Sequence, residues 1–474
     1  MSSADPPKLL SDHPRLTPRW IGKSGLCIGC GACVARSSGS DATMRLDRYG
    51  HFKPSIPSLP PNDSPPDFAA LCPFSPHAQN EDEIARERFP LAKYRDPLIG
   101  RFEAAFVGHV RESSFRADGS SGGMANWTAA ELLARKMVDG IAHVVPRSDG
   151  EGDRQPLFRY RISRTVEDVR DGAKSRYYPV EMSEIIEEIR RRPGRYAMVG
   201  IPCFVKAVHL LCRQDPVLRE RIVFTLGLFC GHMKSARFVE SFAWQMQARM
   251  GEVASVDFRL KDARRPANWY TVHLRLKDGS TRNKDWWHLV DGDWGAGYFQ
   301  NSACNFCDDV VAETADISFG DAWVEPYSSD GRGTNVVVVR SPLLHQLIAD
   351  AVEKRRLDLS EVDADFVVRT QAAGFRQRRE GLAFRLSWPR YGIKPNKRVV
   401  PKWSGLPARR MLIYWLRSAI SAQSHRIFLA ARALKLPIIY IRWASTMLAL
   451  YQGVTYSRGW VGKLVDRIGG RGES

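Results

Sequence analysis

Nine cysteines are the residues of this 474-residue chain best able to do chemistry, and three of them, Cys27, Cys30 and Cys33, stand in CIGCGAC. A C-x2-C-x2-C triplet lets one tight loop aim three thiolates at a single cubane, and the small Gly29, Gly31 and Ala32 let backbone N–H groups approach its sulfides. The fourth ligand must come from afar. Ser37 occupies the place where a two-cluster ferredoxin has its next cysteine, so Cys72, followed by Pro73, is the natural candidate. Structural zinc also takes four thiolates, but from paired C-x2-C units, so the triplet favours a 4Fe-4S cluster.

Cys304 and Cys307 make a further C-x2-C in SACNFCDD, while Cys203 (IPC) and Cys230 (LFC) each end a strand-like run. Carboxyl ends of parallel strands share one edge of a sheet, where ligands collect. These four thiols can converge on a second cluster; the residues alone leave equally open a pair of buried apolar cysteines with zinc, or nothing, at the C-x2-C. Cys212, inside a helical pattern, reads as a packed thiol. Asp118 to Gly123, DGSSGG, joins a strand to a helix. There Ser120, Ser121, Gly122 and Gly123 can turn backbone N–H groups toward a phosphate, as a dinucleotide such as FAD would need. The alternative is an N-cap by Ser121, and the full G-x-G-x-x-G fingerprint is missing.

The elements that must position these groups read as an α/β protein, α+β overall. Residues 1–100 form a loop-dominated, ferredoxin-like iron–sulfur segment with a Pro-rich run at KPSIPSLPPNDSPP. Residues 101–250 alternate strands (AAFVGHV, IAHVVP, RYAMVGI, IVFTLGLF) with helical runs over 123–139 and 205–213, the βαβ pattern of a mostly parallel sheet. Residues 251–370 add a hairpin turning at Asp278-Gly279 and the strands ADISFGDAWV and TNVVVVR, a mixed sheet region. From 371 a basic tail repeats Arg among apolar residues at helical spacing.

Charge is divided unevenly. The formal net charge is +18, and residues 371–474 hold 20 basic against 3 acidic side chains, +17 of that total. The main body therefore lacks the basic face that nucleic acid requires. The start, MSSADPPKLLSDHPRL, has no apolar h-region, so the chain reads as cytoplasmic, where thiols stay reduced and cluster ligation outranks disulfides. No apolar run is long enough to span a bilayer. The tail instead suits peripheral attachment to the inner face of an anionic membrane. Met411, Leu412, Trp415, Leu416, Ile420, Ile427 and Phe428 lie among Arg410, Arg417, Arg426 and Arg432, and Tyr440, Trp443, Tyr451 and Tyr456 follow. The competing readings are packing against the body or a partner subunit, and binding of single-stranded nucleic acid.

The set CIGCGAC, SSGGMANWTAAELL, AKSRYYPV, YAMVGIPC, GLFC, CNFCDDVVAETADISFGDAW and TNVVVVR resembles, in order over about residues 20–345, the coenzyme F420 hydrogenase/dehydrogenase beta-subunit family. That family includes beta subunits of deazaflavin-reducing hydrogenase, chlorophyll and chlorophyllide reductases, and homologues in polysaccharide gene clusters. The resemblance implies an FAD-containing iron–sulfur oxidoreductase with two 4Fe-4S clusters. Cys27, Cys30, Cys33 and Cys72 would hold the first, and Cys203, Cys230, Cys304 and Cys307 the second. Ser120 to Gly123 would face the flavin pyrophosphate with Asn126 one turn along, and Lys174 and Tyr177 would sit near flavin or substrate. Two departures stand out: Phe204 where the family has Gln after Pro-Cys, and Lys174-Ser175-Arg176-Tyr177 for its Ser-Lys-Tyr turn. The implied partners are a one-electron donor such as ferredoxin, or a deazaflavin, together with a small organic substrate; a homo-oligomer stays open. Tyr177, His209, His232 and Asp321 can each move a proton, but each also has a packing or surface role, and no catalytic residue is assigned. Two other classes remain: a non-catalytic electron-transfer subunit of a larger redox complex, and a zinc-stabilised nucleic-acid-binding protein.

Overall fold

The computed structural model describes residues 16–37, 41–57, 65, 67–147, 156–388 and 393–469. The N-terminal stretch read for targeting and most of the Pro-rich run lie outside these residues. One mixed sheet of eight strands organises the chain: β1 (Ala104–Val110), β2 (Gly140–Pro146), β3 (Phe158–Ser163), β4 (Tyr196–Gly200), β5 (Ile222–Leu228), β6 (Ile317–Asp321), β7 (Asn335–Val339) and β8 (Leu357–Val362). Their order across the sheet is β8-β1-β7-β6-β5-β4-β2-β3. The pairs β2/β4, β4/β5 and β5/β6 are parallel, and β7 runs antiparallel to both β6 and β1, so β1, β2, β4, β5 and β6 share one direction. Strands from both sides of position 250 thus belong to one sheet.

The central strands are buried on both faces, as unbroken apolar runs require. In β7, Val337 and Val339 enter one core with Met124, Trp127, Leu344 and Ile348, while Val336 and Val338 enter the opposite core with Ile99, Phe102, Val107 and Phe375. The period of two along a strand divides consecutive valines between the two layers. Helix α1 (Met124–Ala134) follows β1, and helix α2 (Pro202–Gln214) follows β4 with Pro202 at its first turn, where the missing N–H costs nothing. The expected hairpin is present: Thr271–Leu276 pairs with Thr281–Asp285 around Gly279, within a separate three-stranded sheet headed by Val253–Leu260.

The tail forms two long helices, α3 (Ala408–Ala433) and α4 (Pro437–Tyr456), then α5 (Gly459–Gly469). Here the expectation of a wholly membrane-directed apolar stripe is corrected. Leu416, Ile420 and Phe428 are buried in a core shared with Phe238, Phe242, Trp286 and Phe299, and Tyr440 and Tyr451 join them. Phe428 stacks on Trp244 with ring centroids 4.2 Å apart. Burying side chains of this size is worth about 1.5–3 kcal/mol each. Polar groups seal the junction. Tyr440 donates to Asp291 at 2.9 Å, Ser421 donates to the Gln300 carbonyl at 3.0 Å, and the ring nitrogens of His425 and His51 lie 3.0 Å apart. Burial holds His51 well below the usual imidazole range and His425 at about 4, so the pair is neutral at ordinary pH.

Candidate metal and anion sites at the sheet edge

The eight assigned cysteines gather in two neighbouring groups. Cys27, Cys33 and Cys72 pack against the same buried cluster as Cys30, so the fold brings the distant Cys72 to the triplet. The loop geometry explains the glycines. Gly31 has φ +87° and forms the N-cap of the helix Ala32–Arg36; a Cβ there would lie 2.6 Å from Glu181 and 3.0 Å from the Ser183 nitrogen. The loop is thus pressed against the Glu181–Ser183 segment, with Met182 N–H donating to the Cys30 carbonyl at 3.0 Å. Cys72 caps the helix Phe68–Leu71, and its carbonyl accepts from Ser75 N–H at 2.8 Å, aiming the Cys-Pro turn inward.

In the second group, Cys203 feels Cys307, Cys230 and Cys304. Cys203 lies in the first turn of α2 after β4, and Cys230 lies two residues beyond β5, so parallel neighbouring strands deliver both to one edge. Cys304 and Cys307 come from the short helical turn Ser302–Phe306, capped by the Asn301 side chain accepting from Ala303 N–H at 3.0 Å. Met233 N–H donates to the Cys304 sulfur at 3.3 Å, and Cys230 N–H to the Val310 carbonyl at 2.9 Å. Cys212 stands apart, as expected; burial raises its thiol to about 12.

The two groups touch. Ser302 donates to the Gly25 carbonyl at 2.6 Å and the Asn301 amide to the Ile28 carbonyl at 3.5 Å, binding the C-x2-C segment to the loop of the triplet. Cys203 also feels Cys30, and Tyr160 lies against both. Phe204, the departure from the family pattern, is buried beside them, stacked on Tyr160 at 6.3 Å. Burial raises the thiols of Cys30 and Cys230 to about 12 and Cys304 to about 11. Such sulfurs stay protonated unless a cation displaces the proton, which is what iron does. Among the described residues no three His, Cys, Asp or Glu side chains close around one metal ion. Tetrahedral zinc would draw its sulfurs to about 3.8 Å from one another, given Zn–S bonds of ~2.3 Å.

A second constellation surrounds the loop after β1. Ser120 accepts from Ser175 N–H at 2.8 Å, which joins the DGSSGG loop to the Lys174–Tyr177 turn, two stretches singled out independently. The close approaches of Gly122 and Gly123 are to protein: a Cβ on Gly122 would meet the Gly108 carbonyl and Asn335 at 2.8 Å, and one on Gly123 the Phe115 carbonyl at 2.5 Å. Asn335, the first residue of β7, accepts from Met124 N–H at 3.0 Å, a cap supplied from across the sheet rather than by Ser121. Ser121 donates instead to the Thr334 carbonyl. Among the described residues nothing accepts from the backbone N–H groups of Ser120 to Gly123. Asn126 places its buried amide nitrogen one turn on, also without an acceptor among them.

Cations converge on the same place. Lys174, held at φ +102°, lies 3.4 Å from Asp257; Arg259 pairs with Asp321 at 3.0 Å; Arg116 pairs with Asp330 at 2.9 Å. Lys261 donates to the Ser121 and Arg332 carbonyls at 2.8 Å and to that of Arg116. Burial, with Lys174, Arg259 and Arg116 beside it, pushes its ammonium down to about 7. A non-glycine residue at positive φ costs about 1–3 kcal/mol, strain typical of a functional turn. Tyr177 packs edge-on to Phe258 and Trp286 and lies 4.9 Å from Trp294, which stacks on His232 at 4.1 Å. Because His232 follows Cys230 by two residues, packed rings lead from the anion loop to the second thiol group.

The proton-carrying residues are otherwise engaged. Asp321 is salt-bridged to Arg259, His209 bonds the Thr314 carbonyl at 2.9 Å, and His232 lies 3.3 Å from Arg417. The sequence reading missed Arg259, Lys261 and Trp294, which belong to no motif, and gave no role to Asn335, which opens TNVVVVR.

An α/β protein with two neighbouring groups of four cysteines, one of them receiving Cys203 and Cys230 from the carboxyl ends of parallel strands, has the make-up of an iron–sulfur protein. Two family models, the N-terminal and C-terminal parts of the coenzyme F420 hydrogenase/dehydrogenase beta subunit, match residues 105–187 and 194–365. The chain belongs to this family of iron–sulfur subunits of oxidoreductase complexes. Among solved structures it is similar to a chain of the F420-reducing NiFe hydrogenase complex from Methanosarcina barkeri, with 17% identity, 62% of this chain and 95% of that chain covered, and a TM-score of 0.46. No curated protein matches it.

Proposed function

We propose that the protein is an iron–sulfur flavoprotein oxidoreductase, passing electrons between two 4Fe-4S clusters, FAD and an organic substrate or deazaflavin. The observation that carries this reading is the contact of the two cysteine groups, with the second joined to the anion loop through His232, Trp294 and Tyr177. Residues 1–100 supply the first ligand set, 101–250 the flavin loop and two ligands of the second set, 251–370 its C-x2-C, and 371–474 the tail. The N–H groups of Ser120 to Gly123, with Lys174 and Lys261, would hold the pyrophosphate; Tyr177 and Trp294 would wall the ring system from water. When bound, FAD supplies the conversion between single electrons and hydride equivalents. A ferredoxin-type one-electron donor fits this scheme, as does exchange with a deazaflavin. An anaerobic reductive titration tests it. About four electrons per chain are expected, one for each cluster and two for the flavin. Uptake of about two electrons without bleaching of a flavin band would leave only electron transfer between clusters.

The tail's outer side supports attachment to an anionic membrane. No helix among the described residues is long and apolar enough to cross a membrane. At the bend between α3 and α4, Leu434, Leu436, Ile438 and Ile439 are 61%, 51%, 48% and 37% exposed, although consecutive aliphatic side chains at a bend gain nothing from water. Arg426, Lys435 and Arg442 near them pair with no described carboxylate, and the sequence has no Asp or Glu between Glu380 and Asp466. Each such cation at a lipid surface is worth about 1 kcal/mol. Full-length protein should sediment with anionic vesicles at low salt, and Leu436→Asp with Ile438→Asp should release it. Retention of the wild type in the supernatant with anionic and neutral vesicles alike overturns attachment.

A further inference from the structure

Arg378 ends the helix Ala372–Arg378, and its side chain is 3% exposed. One terminal nitrogen donates to the Cys230 carbonyl at 3.0 Å and the Gly231 carbonyl at 2.6 Å; the other has no acceptor among the described residues. It makes no ion pair with a described carboxylate. Nearby acids are already matched: Asp308 lies 3.0 Å from Lys397 and 3.3 Å from Arg398, and Glu313 pairs with Arg398 at 2.6 Å. Asp309 turns its carboxylate onto its own loop, accepting from Val311 N–H at 3.0 Å and from Glu313 N–H at 2.9 Å. A guanidinium this deep, without a carboxylate, is costly unless another negative charge faces it. The second cysteine group is where that charge would lie: the guanidinium bonds the carbonyl of Cys230, one of its four members, so thiolates held there by a metal would face it.

The first group is placed differently. Of its nearby cations, Lys53 is only partly buried and donates to the Cys27 carbonyl at 2.9 Å, and the buried Lys206 is paired with Glu81 at 3.2 Å, while the half-buried Glu181 lies beside Cys30. A cluster held by four thiolates is anionic and gains one more negative charge on reduction, so a buried cation facing it stabilises the reduced form more than the oxidised form.

We infer that Arg378 is a positioning and charge-compensating residue of the second cysteine group, which makes the centre there the more easily reduced of the two. This rests on the two-cluster reading above. The step it governs is the transfer of one electron from the reduced first centre, which is oxidised, to the oxidised second centre, which is reduced, with no proton moved. The electron enters from an external one-electron donor and leaves toward the anion loop through the Trp294 side of the second group.

Potentiometric titration of anaerobic protein with dithionite and mediators, followed by EPR, tests the inference in wild type, Arg378→Gln and Arg378→Lys. Cys304→Ser, lacking the second centre, identifies its signal. In wild type the second centre should reduce first. Arg378→Gln should disfavour its reduction by at least about tenfold, ~59 mV for one electron, and leave the first centre unmoved. Arg378→Lys should recover part of the shift, because the charge remains while the two carbonyl bonds of the fork are lost. An Arg378→Gln protein with full iron and an unchanged midpoint overturns the role of Arg378, as does a wild type whose first centre reduces first. Wild-type iron sufficient for one cluster only would overturn the two-cluster reading itself, and the inference with it.

Discussion

Protein purified without oxygen will be brown and carry about eight iron and eight sulfide per chain, four for each group of four cysteines. Cys304→Ser will lower both to about four while the protein stays folded, because the first group draws its ligands from Cys27, Cys30, Cys33 and Cys72. Cys30→Ser will cost the other half and more stability, since its loop is pressed against Glu181–Ser183 and anchors Ser302 through Gly25. Iron and sulfide analysis with EPR reads all three proteins. Stoichiometric zinc in place of iron would refute the cluster assignment and the redox function together. About four iron in wild type, unchanged in Cys304→Ser, would confine ligation to the first group.

Unfolding the same protein will release non-covalent FAD, and Lys174→Glu will bind it at least about tenfold more weakly. Lys174 lies beside the Ser120 loop, a charge-assisted contact is worth about 1.5–3 kcal/mol, and the substitution replaces attraction by repulsion of a pyrophosphate. The side chain is partly exposed and among the described residues pairs only with Asp257, so the fold should survive, as circular dichroism and retained iron would verify. Gly123→Glu is the less telling variant. Its Cβ would lie 2.5 Å from the Phe115 carbonyl at a positive φ, so the loop would break whether or not a nucleotide binds there. If wild type releases no flavin, the hydride-transfer scheme fails and a non-catalytic electron-transfer subunit takes its place.

The charge of the tail admits two uses, and the structure divides them by face. Arg409 pairs with Asp466, Arg410 with Glu380 and Arg432 with Glu240, while Arg417 is buried against the Gln300 side chain at 3.3 Å. These arginines serve the body. Arg426, Lys435 and Arg442 remain directed outward with the aliphatic bend. Attachment through that side would not demand that α3 leave the core.

What the sequence by itself determined was local. Cys27, Cys30 and Cys33 announce a cluster because three ligands sit in one loop, and no distant contact is needed to aim them. The strands at 104–110, 196–200, 222–228 and 335–339 are legible because burial on both faces demands unbroken apolar runs, and the βαβ pattern then places Cys203 and Cys230 at one edge. Tertiary structure alone decided the rest. The convergence of Cys304 and Cys307 with that edge depends on the docking of a turn onto Gly25 and Ile28, hundreds of residues away in sequence. Lys261, Asn335 and Arg378 reach their sites through long-range packing and carry no spacing signature. The apolar stripe of α3 has the same helical period whether it meets lipid or protein, so only the cavity lined by Trp244, Phe299 and Tyr440 could show that Phe428 and Ile420 turn inward while the bend at 434–439 turns out.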